Sequence, residues 1–115
     1  MERYITRPLK GHDSAQALVR IYESGKLELI SYRTLVARAI PEECSRIKYV
    51  VEPLGQFWDG RRIYSNTTAR HIRLFLYEFF DDVSYKEFKL SAMNSVRFGK
   101  AEGTLRREVN LNYEW

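Results

Sequence analysis

The stretch Ile63-Tyr64-Ser65-Asn66-Thr67-Thr68-Ala69-Arg70-His71-Ile72-Arg73-Leu74-Phe75-Leu76-Tyr77-Glu78-Phe79-Phe80 decides the fold. Ile72, Phe75, Leu76 and Phe79 recur at i, i+3, i+4 and i+7, so four apolar side chains share one stripe of a helix while Arg70, Arg73, Tyr77 and Glu78 fall on other faces. The polar run 65–68 ends a short strand, Arg62-Ile63-Tyr64, and opens the helix at Ala69. A hydroxyl at Thr67, give or take one residue, accepts a bond from a first-turn N–H that has no helical partner, a cap worth about 1 kcal/mol. The same run can also be read as an anion-binding helix start with Arg70 just inside it. The plain cap is preferred, because no glycine-rich loop precedes the helix.

Towards the N-terminus, Ala15, Ala17, Val19 and Ile21 alternate with polar residues, Glu23-Ser24-Gly25-Lys26 turns the chain, and Leu27 and Leu29 resume the alternation. That pattern is a hairpin. Thr34–Ile40 is ambiguous between a strand and a short helix; its β-branched content and the following Pro41 favour a strand. After a loop at 41–45, Ile47, Tyr49 and Val51 mark a strand closed by Pro53-Leu54-Gly55. Asp59-Gly60 is a type I′ turn signal, which makes a second hairpin with Phe57 and Trp58 beside its tip.

Towards the C-terminus, the helix stops near Asp81-Asp82, and Ser84-Tyr85-Lys86-Glu87 is a capping box. It opens a second helix of about three turns, with Tyr85, Phe88, Ala92 and Val96 on one face and Gly99 and Gly103 bracketing its exit. Val109, Leu111, Tyr113 and Trp115 alternate with polar residues, which predicts a half-buried terminal strand. It is either an internal closing strand or an edge open to strand addition by a partner. Strands, then two helices, then a strand describe a single α+β domain over 1–115, a largely antiparallel sheet of about five strands with two helices packed on one face.

Composition narrows the function without naming it. With 115 residues the chain can bury a core that needs no metal or disulfide, and its single cysteine, Cys44, cannot form an internal bridge. Cys44 is expected to be a buried or incidental thiol, with a nucleophile as the alternative. No apolar run reaches the roughly 20 residues that span a bilayer, and Met1-Glu2-Arg3-Tyr4 lacks the apolar core of a signal peptide. A cytoplasmic protein with no membrane contact is expected, so the acceptor pattern Asn66-Thr67-Thr68 carries no glycan. The net charge of +4 tilts the partner towards polyanions or acidic protein surfaces, though 15 carboxylates are interleaved with the bases. Eight Tyr, six Phe and two Trp are more rings than a core of this size hides, so some belong to a binding surface.

Motifs of catalysis are sparse. His12, His71 and Cys44 are too far apart for a zinc spacing, and no cofactor or metal is expected. His71 can act as a base only if a carboxylate orients it; beside an apolar stripe, the preferred reading is that it caps, packs or faces solvent. Glu42-Glu43 and Asp81-Asp82 are read as solvated surface, because no phosphate loop or nucleophile elbow accompanies them. The best binding constellation is Phe57 and Trp58 with Arg61 and Arg62, rings and cations on one hairpin tip, joined by Arg70 and Arg73 on the helix. Because a hairpin alternates its faces, one ring of the pair points outward and the other can fold beneath the sheet.

Two segments carry a resemblance: Ser31-Tyr32-Arg33-Thr34-Leu35-Val36-Ala37, and Tyr64-Ser65-Asn66-Thr67-Thr68-Ala69-Arg70-His71-Ile72 running on to Phe75-Leu76. Together they resemble a family of small bacteriophage proteins that pairs a Ser-Tyr-x-Thr-x-Val-Ala segment with a Tyr/Trp-Ser-x-Thr-Thr-x-x-His-Ile segment. The match covers roughly Val19 to Phe80 and leaves out the second helix and the terminal strand. It carries no activity, so Ser31, Tyr32, Thr34, Thr67, Thr68 and His71 are shared rather than catalytic residues. The resemblance implies a phage or mobile-element origin and the role of an accessory factor that blocks a host protein or nucleoprotein complex, such as a CRISPR-type defence effector. The alternative is a small basic nucleic-acid-binding module.

Overall fold

The computed structural model describes residues 2–10, 16–43, 45, 47–55, 57–58, 61–62, 64–93 and 101–113, and for 57, 58, 61, 62 and 90–93 it describes the backbone alone. Six strands form one antiparallel sheet in the order β1-β2-β3-β4-β5-β6: β1 Tyr4–Pro8, β2 Ala17–Tyr22, β3 Leu27–Ser31, β4 Thr34–Pro41, β5 Lys48–Pro53 and β6 Ala101–Thr104. The first five are ordered as in the chain, and the last returns after both helices to pair with β5. A separate two-stranded hairpin pairs Phe57 with Arg62 and Trp58 with Arg61. Its Asp59-Gly60 turn lies outside the described residues, as do His12, Cys44, Ile63, Val96, Gly99 and Trp115.

Register explains the core. Ile5, Ile21, Leu27, Ala39, Val51 and Ala101 are successive cross-strand partners, one row running the width of the sheet. The four central members of that row are fully buried. Period-two alternation puts that row and its neighbours Val19, Leu29 and Ala37 on one face, where the helices α1 (Asn66–Phe79) and α2 (Tyr85–Met93) cover them. The α1 stripe Ile72, Phe75, Leu76 and Phe79 is buried there, and Phe75 packs its ring 5.3 Å from Phe79 and 6.1 Å from Phe80. Tyr49 meets Phe80 edge-on at 5.5 Å. The capping box opens α2 as its sequence signals, with the Glu87 amide donating to Ser84 Oγ at 3.2 Å.

Four expectations need correction. The cap of α1 is Ser65, not a threonine at 67: its side chain accepts from the Thr68 amide at 3.1 Å, so the helix starts at Asn66 and the preceding hairpin strand ends at Arg62. No strand forms at 109–113. Val109, Leu111 and Tyr113 pack against the core from an irregular segment of local turns, the Tyr113 amide donating to the Leu111 carbonyl and the Asn112 amide to Asn110 Oδ1, because the place beside β5 is already filled by β6. Gly103 does not end a helix but lies within β6, where a Cβ would collide with Val83 Cγ2 and press on Phe80. Finally, β1 is an element that the sequence pattern left unassigned.

Candidate functional site

Ser31 ends β3 and is brought against α1 by the sheet register. Ser31 Oγ lies 2.7 Å from Nδ1 of His71 and 3.2 Å from Thr68 Oγ1, and Ser65 Oγ donates to Thr68 Oγ1 at 3.2 Å. This hydroxyl chain runs from the helix cap into the core, where Ser31 is 2% and His71 0% exposed. The two segments singled out by resemblance therefore meet, 40 residues apart in sequence. Thr67 stays exposed at the helix surface and takes no part in the chain.

Above this cluster the chain turns from β3 to β4 through Tyr32 and Arg33, with Ser31 and Thr34 as register partners. Both central residues have positive φ, 49° and 69°. That is the backbone of a type I′ turn, which ordinarily uses Asn and Gly, and for side-chain-bearing residues it costs about 1–2 kcal/mol each. The surroundings hold it. The Tyr32 amide donates to the Gln16 carbonyl at 2.9 Å, and the Tyr32 ring lies 5.6 Å from His71.

As chemistry, a serine hydroxyl on a histidine nitrogen is the beginning of a nucleophilic dyad. Here both members are sealed from solvent, so the pair acts as a polar lock between helix and sheet. Of the roles expected for His71, packing agrees with its burial and facing solvent does not, because the ring is enclosed between α1 and the end of β3. Among the described residues no three His, Cys, Asp or Glu side chains converge as a metal site.

The cationic candidates lie on the helix-bearing side. Arg70 and Arg73 are exposed on α1, with Arg73 stacked over the Tyr85 ring of α2 at 4.5 Å, and Lys86 and Lys89 are exposed on α2. The backbone of Arg61 and Arg62 packs beside α2. Arg70 and Arg73 thus share the helix-bearing layer, with the Arg61–Arg62 backbone beside it, and Lys86 and Lys89, which the sequence ranks below them as contact residues, lie on the same layer; the side chains of Phe57, Trp58, Arg61 and Arg62 lie outside the description. Of the carboxylates on this layer, Glu87 stays exposed on α2 with the Ser84 hydroxyl donating to it at 3.4 Å, and three others are engaged elsewhere. Glu78 takes both terminal nitrogens of Arg7 at 2.9 and 3.3 Å, Asp81 takes Arg106 at 2.9 Å, and Asp82 accepts from the Thr104 amide at 2.7 Å. Among the described residues no carboxylate pairs with Arg70, Arg73, Lys86 or Lys89.

Sequence reasoning missed the opposite, uncovered face of the sheet. There Arg20, Glu28, Arg38 and Glu52 are consecutive cross-strand partners, a row of alternating sign. Glu28 is 4% exposed even so, because Arg38 Nε donates to it at 3.1 Å and the Tyr22 hydroxyl at 2.5 Å. Burial, with Glu28 beside it, raises the Tyr22 phenol above its usual range. The even spacing of Arg20 and Tyr22 was visible, but their partners on other strands were not.

No helix among the described residues is long and apolar enough to cross a membrane. Comparison with curated proteins gives no match, and comparison with solved structures gives none. A family of unknown function, DUF8033, matches residues 9–90, a span that runs from before β2 through most of α2 and contains the Ser31–Thr68–His71 lock; the chain belongs to this family.

Proposed function

We propose that this protein is a non-enzymatic accessory factor, of the phage or mobile-element kind, that binds an acidic surface of a host protein or nucleoprotein complex and occludes it. The carrying observation is the uncompensated positive charge of the helix-bearing layer. Arg70, Arg73, Lys86 and Lys89 are exposed without carboxylate partners among the described residues, whereas Glu78, Asp81 and Asp82 are consumed in internal contacts and Glu87 is the single exposed carboxylate set among these four cations. Such a surface steers association with an acidic partner and fixes its orientation. A sealed Ser31–His71 pair favours binding over turnover, since no substrate reaches it without the helix lifting from the sheet. A defence effector in the bacterial cytoplasm is the kind of partner the phage resemblance suggests.

The second reading, a nucleic-acid-binding module, draws on the same cations and separates by salt. Pull-down from bacterial lysate, followed by titration of the captured partner and of a nonspecific duplex DNA at increasing salt, tests both. A protein partner whose affinity falls shallowly supports the first reading. Tight binding of the bare duplex, falling steeply with salt because several phosphates are neutralised, favours the second.

A further inference from the structure

The sheet has two outer edges, and they are treated differently. At β6 the edge is occupied: the Asp81 amide donates to the Thr104 carbonyl at 3.0 Å, Asp82 takes the Thr104 amide, and Phe80 forms a bridge with Leu105. At β1 no strand among the described residues pairs with the outer edge. The parity of its backbone is readable. Glu23 donates its amide to the Arg3 carbonyl and Leu9 donates to the Ala17 carbonyl, so the odd-numbered residues bond to β2. Tyr4 and Thr6 therefore turn both N–H and C=O outward. Pro8 offers only a carbonyl, and Arg7 Nη1 already donates to it at 2.9 Å.

The side chains of Tyr4 and Thr6 rise on the uncovered face and line a depression of about 470 Å³ there. Its floor is apolar, Leu18 and Ile30, and its cations are Arg20 and Arg33; among the described residues none that lines it is acidic. Arg20 shares Glu28 at 3.9 Å and lies over the Tyr4 ring. Arg33 has no ion pair among the described residues, and it is held over the depression by the positive-φ turn that the Ser31–His71 lock supports.

We infer that the outer edge of β1 accepts an extended, acidic segment of a protein partner as an added strand, its backbone bonding to Tyr4 and Thr6 and its carboxylates meeting Arg20 and Arg33. Main-chain bonds supply affinity in this mode and alternate side chains supply selectivity. The cationic, carboxylate-free lining selects an acidic segment, and the apolar floor takes alternate aliphatic side chains on the same face. This surface lies on the opposite side of the sheet from the helix-borne cations, so the inference stands apart from the function proposed above.

The test uses the full chain and a capped valine–glutamate peptide, Val-Thr-Glu-Thr-Val-Thr-Glu-Thr, whose valines and glutamates share one face of a strand, beside a valine–lysine counterpart with Lys for Glu and the valine–glutamate peptide N-methylated on alternate residues. Amide exchange of Tyr4 and Thr6 is followed by NMR. The valine–glutamate peptide is expected to slow exchange of both amides at least tenfold, and the other two peptides to leave it unchanged. Arg33→Glu, at an exposed side chain, is expected to abolish the effect while the melting temperature stays the same. Equal protection by the lysine peptide would overturn the inference. So would failure of the valine–glutamate peptide to protect at millimolar concentration, or amides already protected in the free chain, whether by its own segments or by a second copy at rising protein concentration.

Discussion

Ser31 Oγ and His71 Nδ1 lie 2.7 Å apart in the buried core, and with the Ser31–Thr68 contact this bond ties the end of a central strand to the first turns of α1. Removing the hydroxyl takes away the partner that the buried His71 Nδ1 and Thr68 Oγ1 share. Ser31→Ala is expected to cost about 1–3 kcal/mol, the usual penalty for a buried polar group that loses its partner. Chemical denaturation of both proteins measures it; a difference within the error of the method would show that the lock contributes nothing.

The helix cap separates two hydroxyls that the sequence alone could not tell apart. Ser65→Ala is expected to cost about 1 kcal/mol, because the Thr68 amide loses its acceptor, while Thr67→Ala stays within about 0.5 kcal/mol. Thermal melts of the two variants decide it, and the reverse order would move the cap back to Thr67.

At the centre of the apolar stripe, Phe75 is fully buried against Phe79 and Phe80. Phe75→Ala should destabilise by about 3–5 kcal/mol, while Arg73→Ala, which loses only a surface ring contact, should remain within about 0.5 kcal/mol. Equal and small shifts in unfolding midpoint would contradict the core assignment.

Tyr49 is buried beneath the helices and donates its hydroxyl to the Gly25 carbonyl at 2.8 Å; burial pushes its phenol from the ordinary 10.0 up to about 12. A phenol harder to ionise when folded contributes stability that is fully present below pH 10 and is lost as pH rises towards 12. In that window the folded chain binds more protons than the unfolded one, so stability should fall by up to about 1.4 kcal/mol per pH unit. Tyr22 and Tyr85, also raised by burial, act in the same direction. Urea unfolding from pH 9 to 12 should show the fall, and Tyr49→Phe should flatten it. An unchanged slope in that variant would assign the effect to other groups.

Periodicity made much of this fold legible. The α1 stripe, the Ala17–Ser31 hairpin and the capping box at Ser84 each declare themselves within a few residues, because the forces that fix them are local. The misses have physical causes too. β1 alternates, but as an edge strand it turns only Ile5 and Arg7 towards the helices, so it lacks a hydrophobic signature. β6 reads Ala-Glu-Gly-Thr, poor in strand formers, because Val83 and Phe80 need the space a side chain at Gly103 would fill. The alternation at Val109, Leu111 and Tyr113 misled, since these side chains reach the core in turn from a segment of local turns that pairs with no strand. The Ser31–His71 lock and the Arg20–Glu28–Arg38 row join distant segments, and register across strands is not written in any one of them.

The central claim is that the cations exposed on the two helices carry partner binding. The most direct measurement is the affinity of the captured host partner for the wild-type chain and for a variant with Arg70→Glu, Arg73→Glu, Lys86→Glu and Lys89→Glu, with melting temperatures recorded for both. The account predicts affinity weaker by at least about tenfold, or about 1.4 kcal/mol, at an unchanged melting temperature. An unchanged affinity in a variant that melts with the wild type would contradict it.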